Sequence, residues 1–176
     1  MYEQHSVIRW EGRTDYRCEF RNRSRDCTAV RQCWGNCCVS CRTETALEAV
    51  ASECEAAGGT ALAVPTDVVD HTAVDALIDA TIERFDRLDV CVVNAGTGES
   101  MDTALEALPI EQFKQVTETN VHGAFYTTRA AIPYLKQHDG SIIFVGSFKG
   151  KYPSASTPVY AASKWWLRGF AASVAG

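Results

Sequence analysis

At 176 residues, with 46% hydrophobic and 22% charged residues, the chain has the size and composition of one globular domain. No apolar run approaches the roughly 18 residues that a membrane span needs, and Arg9, Glu11, Arg13, Asp15, Arg17 and Glu19 break up any export signal, so the expected compartment is the cytoplasm. A net charge of -5 excludes nucleic acid and anionic lipid as partners drawn by overall charge.

Residues 1–43 differ in kind from the rest. They hold eight arginines, no lysine and five acids, a balance of +3, so the remaining residues carry -8. Six of the eight cysteines (Cys18, Cys27, Cys33, Cys37, Cys38 and Cys41) also lie there, with almost no Leu or Ile. Cys38-x-x-Cys41 raises the idea of a zinc module. The irregular spacing and the adjacent Cys37-Cys38 lack the two separated pairs of a structural site, so no metal is expected. Disulfides are disfavoured in the cytosol.

From Glu44 onward the pattern is regular. Leu47, Val50, Ala51 and Cys54 share one helical face, and Gly58-Gly59 supplies the stop. Thr60 to Val64 reads as a strand ending at Pro65-Thr66-Asp67. Thr72 and Asp75 suggest a capping box for a helix whose buried stripe is Val74, Leu77, Ile78, Ile82 and Phe85. Leu88 to Val93 is the continuous apolar run of a strand covered on both faces, followed by a turn at Asn94-Ala95-Gly96-Thr97-Gly98. A long helix is predicted from about Ile110 to Leu135, with Phe113, Val116, Val121, Ala124, Phe125, Thr128, Ile132 and Leu135 along one side. Asp139-Gly140 ends it, Ser141 to Val145 is another buried strand, and Val159 to Val174 is the last helix. Strands alternating with helices predict a doubly wound α/β sheet with parallel strands.

Tyr160 and Lys164 are four apart on the last helix and share a face. With six Tyr and five Lys in 176 residues, the pair arises by chance about 6×5/176 or roughly 0.17 times, so it needs company. Ser147 provides it, 13 residues earlier and just past a buried strand, where open α/β sheets place their ligands. Asn120 lies inside the preceding helix. Taken singly, Ser147 could be a turn former, Asn94 a strand-end cap, Asp67 a residue leading into a helix and Asn120 a tolerated polar residue. His71, His122 and His138 have no metal spacing.

Together these pieces resemble the short-chain dehydrogenase/reductase family of the single-domain Rossmann type, over about Arg42 to Gly176. The matching pieces are Thr66-Asp67-Val68, Asn94-Ala95-Gly96, Asn120-Val121, Ser147 and Tyr160-Ala161-Ala162-Ser163-Lys164. The resemblance implies an oxidoreductase that interconverts a carbonyl and an alcohol with NAD or NADP and acts on small alcohols or ketones. It implies a catalytic set of Ser147, Tyr160, Lys164 and Asn120, and cofactor contacts at Asp67, Val68, Asn94, Ala95, Gly96, Tyr160 and Lys164. The chemistry suits these residue types. Hydride transfer to a carbonyl needs a proton donor at the developing alkoxide, and a phenol of ordinary pKa near 10 is a poor one unless a neighbouring ammonium favours the phenolate. Ser147 would hydrogen-bond the substrate oxygen, and Asn120 would relay protons through water to Lys164. Arg42 points to NADP through the ribose 2'-phosphate. The helix at 110–135 and the Tyr/Lys helix resemble the family's oligomer interface, so the resemblance also implies a homo-oligomer.

The amino-terminal end departs from the family. Complete members open with a strand, a Gly-x-x-x-Gly-x-Gly turn and a helix, whereas residues 1–43 contain only Gly12 and Gly35. The chain also stops just after the Tyr/Lys helix. Read one base later, the codons of Cys33-Trp34-Gly35-Asn36-Cys37 allow Ala-Gly-Ala-Thr-Val, which resembles the approach to the family's second strand. Residues 1–41 are therefore expected to be an aberrant, out-of-frame segment before a partial dinucleotide-binding domain at 42–176. Residues 37–41 could act as the second strand, and no convincing first strand is found. The alternative to an enzyme is a noncatalytic remnant or partner subunit that keeps the helical interface.

Overall fold

The computed structural model describes residues 35–175 with their side chains and, as backbone, three short strands at 6–9, 19–21 and 29–31. In chain order the elements are β1 (Ser6–Arg9), β2 (Glu19–Arg21), β3 (Ala29–Arg31), β4 (Asn36–Cys41), α1 (Glu44–Ala56), β5 (Thr60–Pro65), α2 (His71–Phe85), β6 (Val90–Val93), α3 (Ile110–Thr117), a π-helical turn (Glu118–Gly123), α4 (Ala124–Leu135), β7 (Ser141–Phe144) and α5 (Pro158–Val174). Five strands form one sheet in the order β5-β4-β1-β6-β7, the doubly wound order of a Rossmann fold. β2 and β3 form a separate antiparallel pair.

β4 runs parallel to β5 from Asn36 opposite Thr60 to Cys41 opposite Pro65, so the cysteine-rich residues do form the second strand of the order. β6 and β7 are also parallel. The expectation of no first strand is corrected: Ser6–Arg9 fills the central slot, but antiparallel to both neighbours, with Ser6 opposite Ser40 and Arg9 opposite Cys37 and Val90. A parallel neighbour would need a crossover helix, and between β1 and β4 the described residues form only the β2–β3 pair. The reversal puts the start of β1, not its end, at the edge where β4, β6 and the other parallel strands finish.

Both faces of the sheet are packed. Cys37, Val39, Cys41 and Val92 meet Leu47, Val50 and Cys54 of α1 on one side. On the other, Cys38, Cys91 and Val93 meet Leu77, Ile78 and Phe85 of α2, Ala131 and Leu135 of α4, and Leu167 of α5. Each fully buried Leu or Ile contributes on the order of 2 kcal/mol of transfer free energy. Burial pushes the thiol of Cys38 up to about 11 and that of Cys91 up to about 12, so these are inert core residues. Cys38 and Cys41 face opposite sides of the sheet, and no cluster able to hold a metal occurs among the described residues. Cys18, Cys27 and Cys33 lie outside the described residues.

Two local expectations change. α2 is capped not by a Thr72/Asp75 box but by Asp70, which accepts the N–H groups of Thr72 and Ala73 and the Thr72 hydroxyl. These bonds, the Thr72 hydroxyl first, hold its carboxyl below the usual range. Asp75 instead binds Arg129 at 2.9 Å, joining α2 to α4. The predicted long helix is interrupted by the π-helical turn, and Phe113 and Phe125 are 48% and 45% exposed rather than part of the buried stripe. A π turn takes an extra residue per hydrogen-bonded ring and so rotates the face that follows it.

Candidate functional site

The ends of β5, β6 and β7 each release a loop that carries predicted site residues. After β7 the chain turns at Gly146, and Ser147 caps a short 3-10 turn over Phe148–Gly150, its Oγ accepting the Lys149 N–H at 3.2 Å. Gly150 lets this turn lie directly on α5: a Cβ there would be 2.8 Å from the Lys164 carbonyl oxygen.

α5 aligns the Tyr/Lys pair. Lys164 is 2% exposed and its Nζ donates to the Val145 carbonyl at 2.9 Å, at the end of β7. Nζ stands 5.8 Å from the centre of the Tyr160 ring. Burial pushes the Lys164 ammonium down to about 8. Ser147 and Lys164 line one cavity of about 310 Å³ with Phe144, Leu167 and Arg168. The Tyr160 ring faces Gly98, where a Cβ would sit 3.7 Å from its Cδ2, an ordinary contact.

Asn120 is 3% exposed in the π-helical turn. Its Oδ1 accepts the Thr97 N–H at 2.8 Å, and its Nδ2 donates to the Thr97 carbonyl at 2.9 Å and to Ser163 Oγ at 2.8 Å. The side chain thus ties the loop after β6 to α5, one residue before Lys164. Asn94 and Gly96 are buried in that loop, with Ala95 half-buried. Thr97 Oγ1 is buried with no hydrogen-bond partner among the described residues.

Asp67 and Val68 follow β5, at the opposite edge of the sheet from β7 and four inter-strand steps away, about 19 Å at ~4.8 Å per step. Asp67 Oδ1 accepts the Val69 N–H at 3.2 Å, and its other oxygen is 3.9 Å from the Arg42 guanidinium. Val68 packs on Gly123, where a Cβ would be 2.7 Å from Val68 Cγ2. Tyr160, Lys164 and Ser147 therefore gather at one end of the strand edge, and Asp67, Val68 and Arg42 at the other.

Two residues absent from the sequence reading belong to the first group. Glu99, 7% exposed, accepts the Val159 and Tyr160 N–H groups at 2.8 and 2.9 Å. Pro158 opens α5 without an N–H, so one carboxylate satisfies the next two orphan donors. Lys149 donates to Thr157 Oγ1 at 2.5 Å and stands 6.0 Å from the Tyr160 ring centre. An acid alone in a glycine-containing loop carries no sequence signal for a contact 60 residues away. Lys149 could have been found from its place two residues after Ser147.

A sequence profile described as short chain dehydrogenase matches residues 30–176. The chain belongs to the short-chain dehydrogenase/reductase family. Among its relatives is a 3-oxoacyl-[acyl-carrier-protein] reductase of Synechocystis sp., 37% identical over 135 residues, which cover 76% of this chain and 54% of that protein. A metagenomic short-chain oxidoreductase solved with NADP is 30% identical with a TM-score of 0.73, over 78% of this chain and 62% of the other. An NAD+-bound xylitol dehydrogenase, 22% identical with a TM-score of 0.75 over 78% of this chain and 53% of the other, shows likeness of fold alone. The chain spans about half the length of the curated relatives it matches. No helix among the described residues is long and apolar enough to cross a membrane.

Proposed function

We propose that the site interconverts a carbonyl and an alcohol in a small-molecule substrate, with NAD or NADP as the redox partner. The observation that carries this is the approach of the buried Lys164 Nζ to within 5.8 Å of the Tyr160 ring centre, beside the Ser147 turn. Tyr160 Oη gives its proton to the oxygen as the alcohol forms and takes it back in the reverse direction. Lys164 holds positive charge beside the phenol, and Ser147 Oγ donates to the substrate oxygen as negative charge grows there. Asn120 is carried over by resemblance as the water-mediated proton relay to Lys164, while its side-chain amide is held by Thr97 and Ser163. Glu99 fixes the backbone that carries Tyr160.

A nicotinamide cofactor supplies hydride in this chemistry, and the residues present fit only part of it. The nicotinamide end is matched by Lys164, by the Asn94-Ala95-Gly96 turn and by the unpartnered, buried Thr97 Oγ1 in that loop. The adenosine end is matched by Asp67 and Val68, with Arg42 favouring NADP. Among the described residues the diphosphate in between is not matched. Its usual cradle is a glycine turn and helix N-terminus at the end of the central strand, and here β1 is reversed. We therefore infer weak dinucleotide binding. We also propose that residues 1–41 are an out-of-frame segment, and that α4 and α5, with Phe125 and Trp165 each 45% exposed, support self-association.

The reversed β1 favours a second reading, a noncatalytic partner subunit. The test is reduction of a panel of small ketones at millimolar NADPH. The enzyme reading expects slow turnover that Tyr160→Phe lowers at least a hundredfold; no turnover in the parent supports the partner-subunit reading.

A further inference from the structure

Residues 140–176 carry Lys149, Lys151, Lys164 and Arg168 and no Asp or Glu, in a chain whose net charge is -5. This acid-free segment supplies every residue that lines the cavity beside Ser147. Lys151, Lys164 and Arg168 line the 310 Å³ cavity beside Ser147, with Phe144 and Leu167 as apolar walls. The charged residues lining this cavity are all cationic, which draws anions to it.

Lys149 lies outside that cavity lining, on the Tyr160 side of the Ser147 turn. Its N–H is fixed on Ser147 Oγ, its Nζ on Thr157 Oγ1, and the Tyr160 ring centre is 6.0 Å away. Among the described residues no carboxylate pairs with it. Glu99, which also reaches α5, has both oxygens occupied by the Val159 and Tyr160 N–H groups. An ammonium whose protein partners are a neutral hydroxyl and an aromatic face keeps donors free for a charged partner, and a carboxylate is the group that takes them up in a charge-assisted bond.

We propose that Lys149 recognises a carboxylate on the substrate, so that the compound handled at this site is a short oxo acid or the matching hydroxy acid rather than a neutral ketone. This rests on the site being the carbonyl-handling one argued above. Lys149 is then a specificity-determining residue, separate from the proton donor.

The test is calorimetric titration of the 176-residue protein with acetoacetate and with its neutral methyl ester, which needs no turnover. The parent should bind the acid at least tenfold more tightly than the ester. Lys149→Met and Lys149→Gln should remove the preference without weakening ester binding, and Lys149→Arg should restore it. Equal affinity for acid and ester, binding of neither, or a preference that survives in both neutral variants overturns the proposal. Loss of the preference in Lys151→Met or Arg168→Met, with Lys149→Met unaffected, overturns it in favour of the cavity. An acid preference in a protein without NADPH-dependent turnover would leave Lys149 as the anion site while removing the proposed reaction.

Discussion

The buried carboxylate of Glu99 accepts the main-chain N–H of Tyr160 at 2.9 Å, across 61 residues of sequence. Its other oxygen takes Val159, so the first turn of the helix that presents Tyr160 and Lys164 is held from a different loop. Hydrogen bonds to a charged acceptor are worth roughly 1.5–3 kcal/mol, and truncation leaves buried donors unpaired. Glu99→Ala should therefore cost about 2 kcal/mol in urea unfolding, more than Glu106→Ala on the exposed surface, which should be within about 0.5 kcal/mol of the parent.

Burial of Lys164 makes a pH-dependent prediction. Its folded-state value is about 8, below the ordinary 10.5, so between those values the unfolded chain binds the proton and the folded chain does not. Unfolding free energy attributable to this residue therefore rises with pH across that window, and the cost of burying the ammonium is complete below about pH 8. Lys164→Met should be more stable than the parent by about 2 kcal/mol at pH 7, since each pKa unit is worth about 1.4 kcal/mol and a hydrogen bond to Val145 is lost. The gain should fade as the pH passes 10, followed by paired urea titrations.

Glycines at the site separate close approach from open space. Gly150→Ala puts a methyl 2.8 Å from the Lys164 carbonyl, a backbone atom that cannot yield cheaply, and should cost about 1–3 kcal/mol. Gly169 lies in the middle of α5 with nothing within 4 Å of a Cβ, so Gly169→Ala should raise stability by about 0.5–1 kcal/mol. Thermal melts of the two variants should move in opposite directions.

Sequencing the gene upstream of the Arg42 codon tests the nature of residues 1–41. Translation one base later should read a strand, a glycine-rich turn and a helix. An upstream reading with no glycine turn in any frame would make the cysteine-rich segment native.

Much of the fold was legible because burial leaves a periodic trace. Leu47, Val50 and Cys54 mark the inner face of α1, and Leu88 to Val93 announces a covered strand. Neither the strand at Ser6–Arg9 nor its direction was legible, since Ser-Val-Ile-Arg, polar at both ends and apolar between, is short and reads the same both ways, and direction depends on the connection that follows. The π-helical turn around Asn120 escaped because apolar spacing records which face is buried, not which carbonyl each N–H meets. Of the candidate site, spacing together with the family resemblance singled out Tyr160, Lys164 and Ser147, which lie close together here. Glu99 was not, because its partners are backbone donors and any loop acid of suitable reach could take them.

The most direct measurement is the affinity of the purified 176-residue protein for NADPH, read from the change in nicotinamide fluorescence. With the Tyr160 and Lys164 end of the site present and the central strand reversed, the expected dissociation constant is about 1 mM or weaker, only some 4 kcal/mol of binding. Stoichiometric binding at micromolar concentration would contradict this, because it requires a diphosphate cradle that the described residues do not form.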